Sequence, residues 1–173
     1  FRSAGVVGLL LEKGADINKV DRNRNTLFHA AAEGGLMKLI RSLIHDGRDI
    51  DELDKSGRTP LYVAAEFGKT EVVKLLLAEG AAIKKVDKYG NTLIHAAAQG
   101  GLVELVEYLI NKGRDIEEVN QNGQAPLQVA ARWGKEKVVK LLLTEGADIR
   151  KIDHFRETVA TIAVRRGMME VVQ

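Results

Sequence analysis

The chain has 173 residues, 45% hydrophobic and 29% charged, a balance that excludes both a disordered tail and a membrane protein. Its 26 Lys and Arg nearly cancel its 24 Asp and Glu, and the net charge of +2 argues against a strongly basic nucleic-acid binder. With no cysteine, disulfides, cysteine nucleophiles and thiolate zinc sites are excluded together, and an intracellular, cytoplasmic location is expected. No apolar run approaches the roughly 18 residues of a spanning helix, so no membrane insertion is expected. There is no initiator Met and no signal-type segment, so the chain reads as a piece of something longer.

Along the chain, glycine recurs with a period. Gly14, Gly47, Gly80, Gly113 and Gly146 lie 33 residues apart; Gly35, Gly68, Gly101, Gly134 and Gly167 keep the same spacing, as do Gly57, Gly90 and Gly123. The polar residues Asp21, Asp54, Asp87, Asn120 and Asp153 mark the start of each unit. Each unit predicts two short helices. In residues 54–86, Thr59 is the N-cap and Pro60 the first helical residue, where its missing N–H costs nothing. Leu61, Ala64 and Ala65 form a narrow apolar stripe, and Gly68 breaks the helix. A second helix follows through Val72, Val73, Leu75, Leu76 and Leu77 and closes at Gly80, a position suited to a left-handed residue. A lone unit of this size cannot bury its own apolar face, so the units must stack.

The segments Thr59-Pro60-Leu61-Tyr62-Val63-Ala64-Ala65 and Leu141-Leu142-Leu143-Thr144-Glu145-Gly146-Ala147-Asp148, with Thr92-Leu93-Ile94-His95-Ala96-Ala97-Ala98, resemble the ankyrin repeat over the whole chain. The resemblance implies an all-α solenoid of stacked antiparallel helix pairs with projecting hairpin loops. First helices and loop tips would line a concave groove. The predicted single domain, 1–173, holds a partial repeat (1–20), complete repeats at 21–53, 54–86, 87–119 and 120–152, and a partial or capping repeat at 153–173. Several residues depart from the pattern: Arg24 and Arg156 replace the turn glycine, Ala125 the capping threonine, and Leu27 and Leu93 the proline. The last unit diverges most, as a capping repeat with a wetter outer face or as a unit cut short at Gln173.

A longer period lies inside the first. Repeat 21–53 matches 54–86 at 9 of 33 positions but 87–119 at 19, and 54–86 matches 120–152 at 19. Two repeat types therefore alternate with a period of 66. Net charge alternates with them, most sharply after the second helix, as Asp51-Glu52, Lys84-Lys85, Glu117-Glu118 and Arg150-Lys151. Such charges form exposed ion pairs worth about 0–1 kcal/mol each, or they fix register, since a slip of one repeat would set like charges side by side.

No catalytic constellation is visible, so the expectation is a non-enzyme without cofactor or metal. Phosphate-loop, nucleophile-elbow and zinc-protease motifs are absent. His29 and His95 occupy the Thr-x-x-His register, which in the ankyrin family is a structural hydrogen-bonding position, and they lie too far apart for a metal pair. His45 and His154 read as surface residues.

Binding is the better-supported expectation. By the resemblance, the residues before the mid-repeat glycine face the groove, among them Phe67, Arg132 with Trp133, and Arg165 with Arg166. Tyr89 and Phe155 sit at loop tips. Stacking would place Phe67 near Tyr89 and Trp133 near Phe155, with Phe1 at the same register 66 residues before Phe67. Aromatic residues and Arg are the types that anchor interfaces. Phe67, Tyr89, Arg132, Trp133, Phe155, Arg165 and Arg166 are therefore the predicted partner-binding residues, in a monomeric module that binds a protein or peptide and no nucleic acid. The alternatives are a regulatory or targeting segment of a larger enzyme, channel or bacterial effector, or an engineered ankyrin scaffold.

Overall fold

A computed structural model describes residues 13, 14, 16 and 18–168. Phe1, most of the N-terminal partial repeat and the chain end at Gln173 lie outside the described residues. Among the described residues there are nine α-helices and one isolated antiparallel bridge, Val86 with Thr92. They fall into two compact units. The first runs to Ala64 and includes Lys69–Ile83; the second comprises Ala65–Gly68 and everything from Lys84.

The first unit holds α1 (Leu27–Gly34), α2 (Met37–His45), most of α3 (Pro60–Glu66) and α4 (Thr70–Ala78). Thr59 caps α3 as its sequence predicts, accepting the Tyr62 amide at 3.1 Å. α1 packs on α2 and α2 on α4, burying Phe28, Ile40, Leu43 and Leu76. The second unit holds α5 (Leu93–Gly100), α6 (Val103–Asn111), α7 (Pro126–Arg132), α8 (Glu136–Thr144) and α9 (Val159–Arg165). Its first helices form one layer, α5 on α7 and α7 on α9. Its second helices form another, α6 on α8, and each second helix packs on its own partner. A helix with neighbours on both sides is buried nearly all round, so α7 is apolar or uncharged from Pro126 through Ala131, and every one of those residues is buried. The second helices keep one wet side: in α8, Val138, Val139 and Leu142 are buried while Lys137 and Lys140 are exposed.

The periodic glycines have a common cause. Every one of them from Gly14 to Gly167 has a positive φ, whereas Gly34 and Gly100, outside the period, do not. Glycine reaches that backbone region without a Cβ penalty. At the turn register Gly57, Gly90 and Gly123 lie at φ 76°, 77° and 70°; Arg24 and Arg156, the departures from the pattern, are held there at 59° and 60°. Both arginines therefore carry local strain, on the order of 1 kcal/mol each.

Each loop is built on the polar residue that opens its repeat. Asp87 Oδ1 accepts the amides of Tyr89 and Asn91 at 2.9 and 2.8 Å, and the Asp87 amide donates to the Asn91 carbonyl at 2.9 Å. Asp21, Asp54, Asn120 and Asp153 make the same pair of side-chain contacts. Within the second unit the loops are then stitched together, Gln121 amide to Tyr89 carbonyl and His154 amide to Asn122 carbonyl, both at 2.9 Å. In the first unit the Lys55 amide donates to Asn23 in the same way at 2.8 Å.

The alternating charges also make specific bonds. Lys151 Nζ meets Glu117 Oε2 at 2.7 Å, and the other Glu117 oxygen accepts the Asp148 amide at 2.7 Å. Asp51 accepts the Ala82 amide at 2.9 Å at the same register in the first unit. The acidic residues Asp51 and Glu117 thus cap the next repeat's backbone, and Glu117 also faces a cation there.

Two outcomes follow. Gly34 and Gly100 share a register, yet a Cβ at Gly100 would overlap the Ala65 carbonyl oxygen, whereas at Gly34 it meets only the movable Leu36 side chain at 3.3 Å. In urea denaturation Gly100→Ala is expected to cost about 2–3 kcal/mol and Gly34→Ala less than about 1. Equal losses would remove the close approach as the cause. Lys151→Glu should lower the melting temperature more in about 0.01 M salt than in about 1 M, where charges are screened beyond roughly 3 Å. An unchanged shift across that range would leave the ion pair without electrostatic weight.

Candidate binding face

The histidines and their equivalents stitch first helices together. Thr92 N–H donates to His95 Nδ1 at 3.2 Å, which leaves the proton on Nε2; that nitrogen donates to the Gln124 carbonyl of the next repeat at 3.0 Å. His29 repeats the arrangement, from Thr26 to the Arg58 carbonyl. Gln128 occupies the same register without a histidine: its Oε1 accepts the Ala125 amide at 2.9 Å and its Nε2 donates to the Glu157 carbonyl at 3.1 Å. An amide thus reproduces the two-ended geometry of the neutral imidazole. Thr161, at this register in the last described repeat, turns only inward, its Oγ1 accepting the Thr158 amide and donating to the Thr158 carbonyl. Among the described residues no group of three or more His, Asp or Glu could hold a metal ion.

Six predicted binding residues are exposed, and all lie in the second unit. Phe67 and Trp133 directly follow α3 and α7, with 47% and 55% of their surface accessible. Tyr89 and Phe155 crown their loops at 51% and 61%. Their amides are held by Asp87 and Asp153, so these rings stand on tied backbone and little ordering is left to be done on binding. What lies over the loop rings is a cation in each case: Lys88 Nζ is 4.9 Å from the Tyr89 ring centre, and the Arg132 guanidinium 5.6 Å from that of Phe155. Phe28 and Tyr62 are buried, while Tyr108 is exposed beneath Lys112.

Arg132 differs from the other predicted residues. It is half-buried, and its Nη2 meets Asp153 Oδ2 at 2.9 Å and Glu157 Oε2 at 2.7 Å. The Gln124 amide oxygen, turned toward it, accepts from Nε at 2.8 Å. Glu157 gives its second oxygen to Arg165, and Arg166 joins these residues around a pocket of about 200 Å3 floored by Ile162. Most of the donors of Arg132 are therefore engaged inside the protein, and it positions the Phe155 loop. Glu157 and Gln124 were not singled out from sequence, and Asp153 only as the residue that opens its repeat. Their signal is the register itself: the first and fifth positions of a repeat are polar throughout, yet here buried.

The ankyrin repeat family pattern, in three copies, matches residues 2–87 and 66–153. The chain belongs to the ankyrin repeat family. The fold is accordingly that of an all-α ankyrin-repeat solenoid, and ankyrin repeats are in general protein–protein interaction modules, typically without catalysis. A comparison with curated proteins gives no match. Among the described residues no helix is long and apolar enough to cross a membrane.

Burial holds the His95 imidazole below its usual pKa, partly offset by the bond to the Gln124 carbonyl. The folded state therefore keeps the ring neutral, while the unfolded chain takes up the proton near pH 6.5. This contribution to stability is present above about pH 6.5 and is lost as pH falls from there through the folded pKa. His95→Gln, copying Gln128, should flatten the acid limb of stability against pH between about 6.5 and 5 while leaving stability at pH 8 within about 1 kcal/mol. An acid limb as steep as that of the parent would exclude His95 as its source.

Proposed function

We propose that the chain is a non-catalytic interaction module that binds a protein or peptide through the face of the second unit carrying Phe67, Tyr89, Trp133, Phe155, Arg165 and Arg166. The observation that carries this reading is the exposure of four large rings, two of them, Tyr89 and Phe155, on loop backbone tied by side-chain hydrogen bonds. Large apolar side chains left in water at recurring registers are unfavourable for the free protein and favourable for a complex. The arginines at the same edge supply the polar anchors that such interfaces use. Family membership supports the same class of function. No cofactor enters this reading.

The test compares partners captured by the full chain with those captured by a Trp133→Ala, Phe155→Ala variant. Both side chains are more than half exposed, so the variant should keep parental helicity by circular dichroism. The expected result is loss of the principal captured proteins. Recovery of the same set at the same yield would place binding elsewhere.

A further inference from the structure

The charges on this face narrow the chemistry of what it takes. Among the described residues of the second unit, at the loop tips and at the ends of the first helices, every exposed charged residue is basic: Lys88, Arg156, Arg165 and Arg166. The acidic residues at those registers face inward. Asp87, Asp153 and Glu157 are buried, and Glu66 is half-buried against Gln99, whose Nε2 donates to it at 3.1 Å. The near-neutral chain thus presents a face of one sign.

The pocket beside Phe155 carries the same imbalance at short range. Three guanidinium groups, from Arg132, Arg165 and Arg166, line it together with a single carboxylate, Glu157. Both oxygens of Glu157 are already taken, one by Arg132 and one by Arg165. Asp153 lies behind, also bonded to Arg132. Three cations therefore share two carboxylates, and the pocket, at about 200 Å3, has room for one more carboxylate side chain. Arginine favours such a ligand, because its planar donors match two carboxylate oxygens at once.

Resting on the reading of this face as the binding surface, we propose that its occupant is an acidic peptide segment. One Asp or Glu enters the pocket among Arg132, Arg165 and Arg166, and a neighbouring aromatic or large aliphatic side chain covers Phe155 and Trp133. A nucleic-acid strand fits less well, because it needs cations along its whole track. At the loop tips and first-helix ends between Lys88 and Arg132 the exposed and half-buried polar positions, Asn91, Gln99, Gln121 and Asn122, are uncharged.

A random 12-residue peptide library displayed on phage, selected against the full chain, tests this. Selected peptides are synthesised with a fluorescent label and titrated beside their Asp→Asn, Glu→Gln copies and a labelled 12-nucleotide oligouridylate. The expected peptides are acidic with an adjacent aromatic or aliphatic residue. Their amide copies should bind about tenfold more weakly or worse, and Arg165→Gln, Arg166→Gln should erase that difference. Both arginines are exposed, and unchanged helicity and melting temperature confirm that the variant folds. If the amide copies bind equally while Trp133→Ala, Phe155→Ala still abolishes binding, the acidic chemistry is wrong and the face stands. Peptides indifferent to both variants, or no enrichment at all, overturn both readings. Tighter binding of oligouridylate than of any selected peptide replaces the peptide with a nucleic acid.

Discussion

A single side chain at the head of each repeat holds the loop on which everything else is arranged. Asp21, Asp54, Asp87, Asn120 and Asp153 each accept the amides two and four residues later. That closes a turn whose fourth residue must take a positive φ, and it leaves the following carbonyls and amides free to bond to the neighbouring loop within each unit. A buried carboxylate tolerates this position because backbone amides replace the water it loses. Were it absent, the third residue of the repeat would have no fixed direction, and the rings of Tyr89 and Phe155 would stand on loose chain.

Stacking then works by matching each repeat's unsatisfied backbone to a side chain from its neighbour. His29, His95 and Gln128 reach the carbonyl of the next repeat from one register, and Asp51 and Glu117 reach an amide of the next repeat from another. These are chemically different groups with one shared property: an acceptor at one end of the task or a donor at the other, held at fixed reach. The alanine-rich first helices bring backbones close enough for such short side chains to suffice, and at Gly100 close enough that not even a methyl group fits.

The same logic separates the arginines at the binding edge. Arg132, Arg165 and Arg166 look alike as a run of helix-end cations, and all three carry a place in the predicted binding set. Arg132 has Asp153 and Glu157 within hydrogen-bond distance because the next repeat brings them there; Arg165 shares Glu157 from its own repeat and remains exposed. One is thereby a support for the Phe155 loop, and the others remain open to a ligand.

The repeat length, the two helices of each repeat, the cap at Thr59, and the left-handed positions were all readable in the chain as a string. Each of these depends on torsional preferences and apolar spacing within a few residues, and the periodic glycines are a direct record of positive φ. Their exceptions, Arg24 and Arg156, were readable as departures but not as residues forced into the same conformation. Whether Gly34 and Gly100 differ, whether Gln128 does the work of a histidine, and which arginines stay free were decided only by the tertiary structure. Those outcomes depend on what residues about 20 to 35 positions away place against them, and burial, close approach and charge pairing are properties of the packed neighbours rather than of the residue itself.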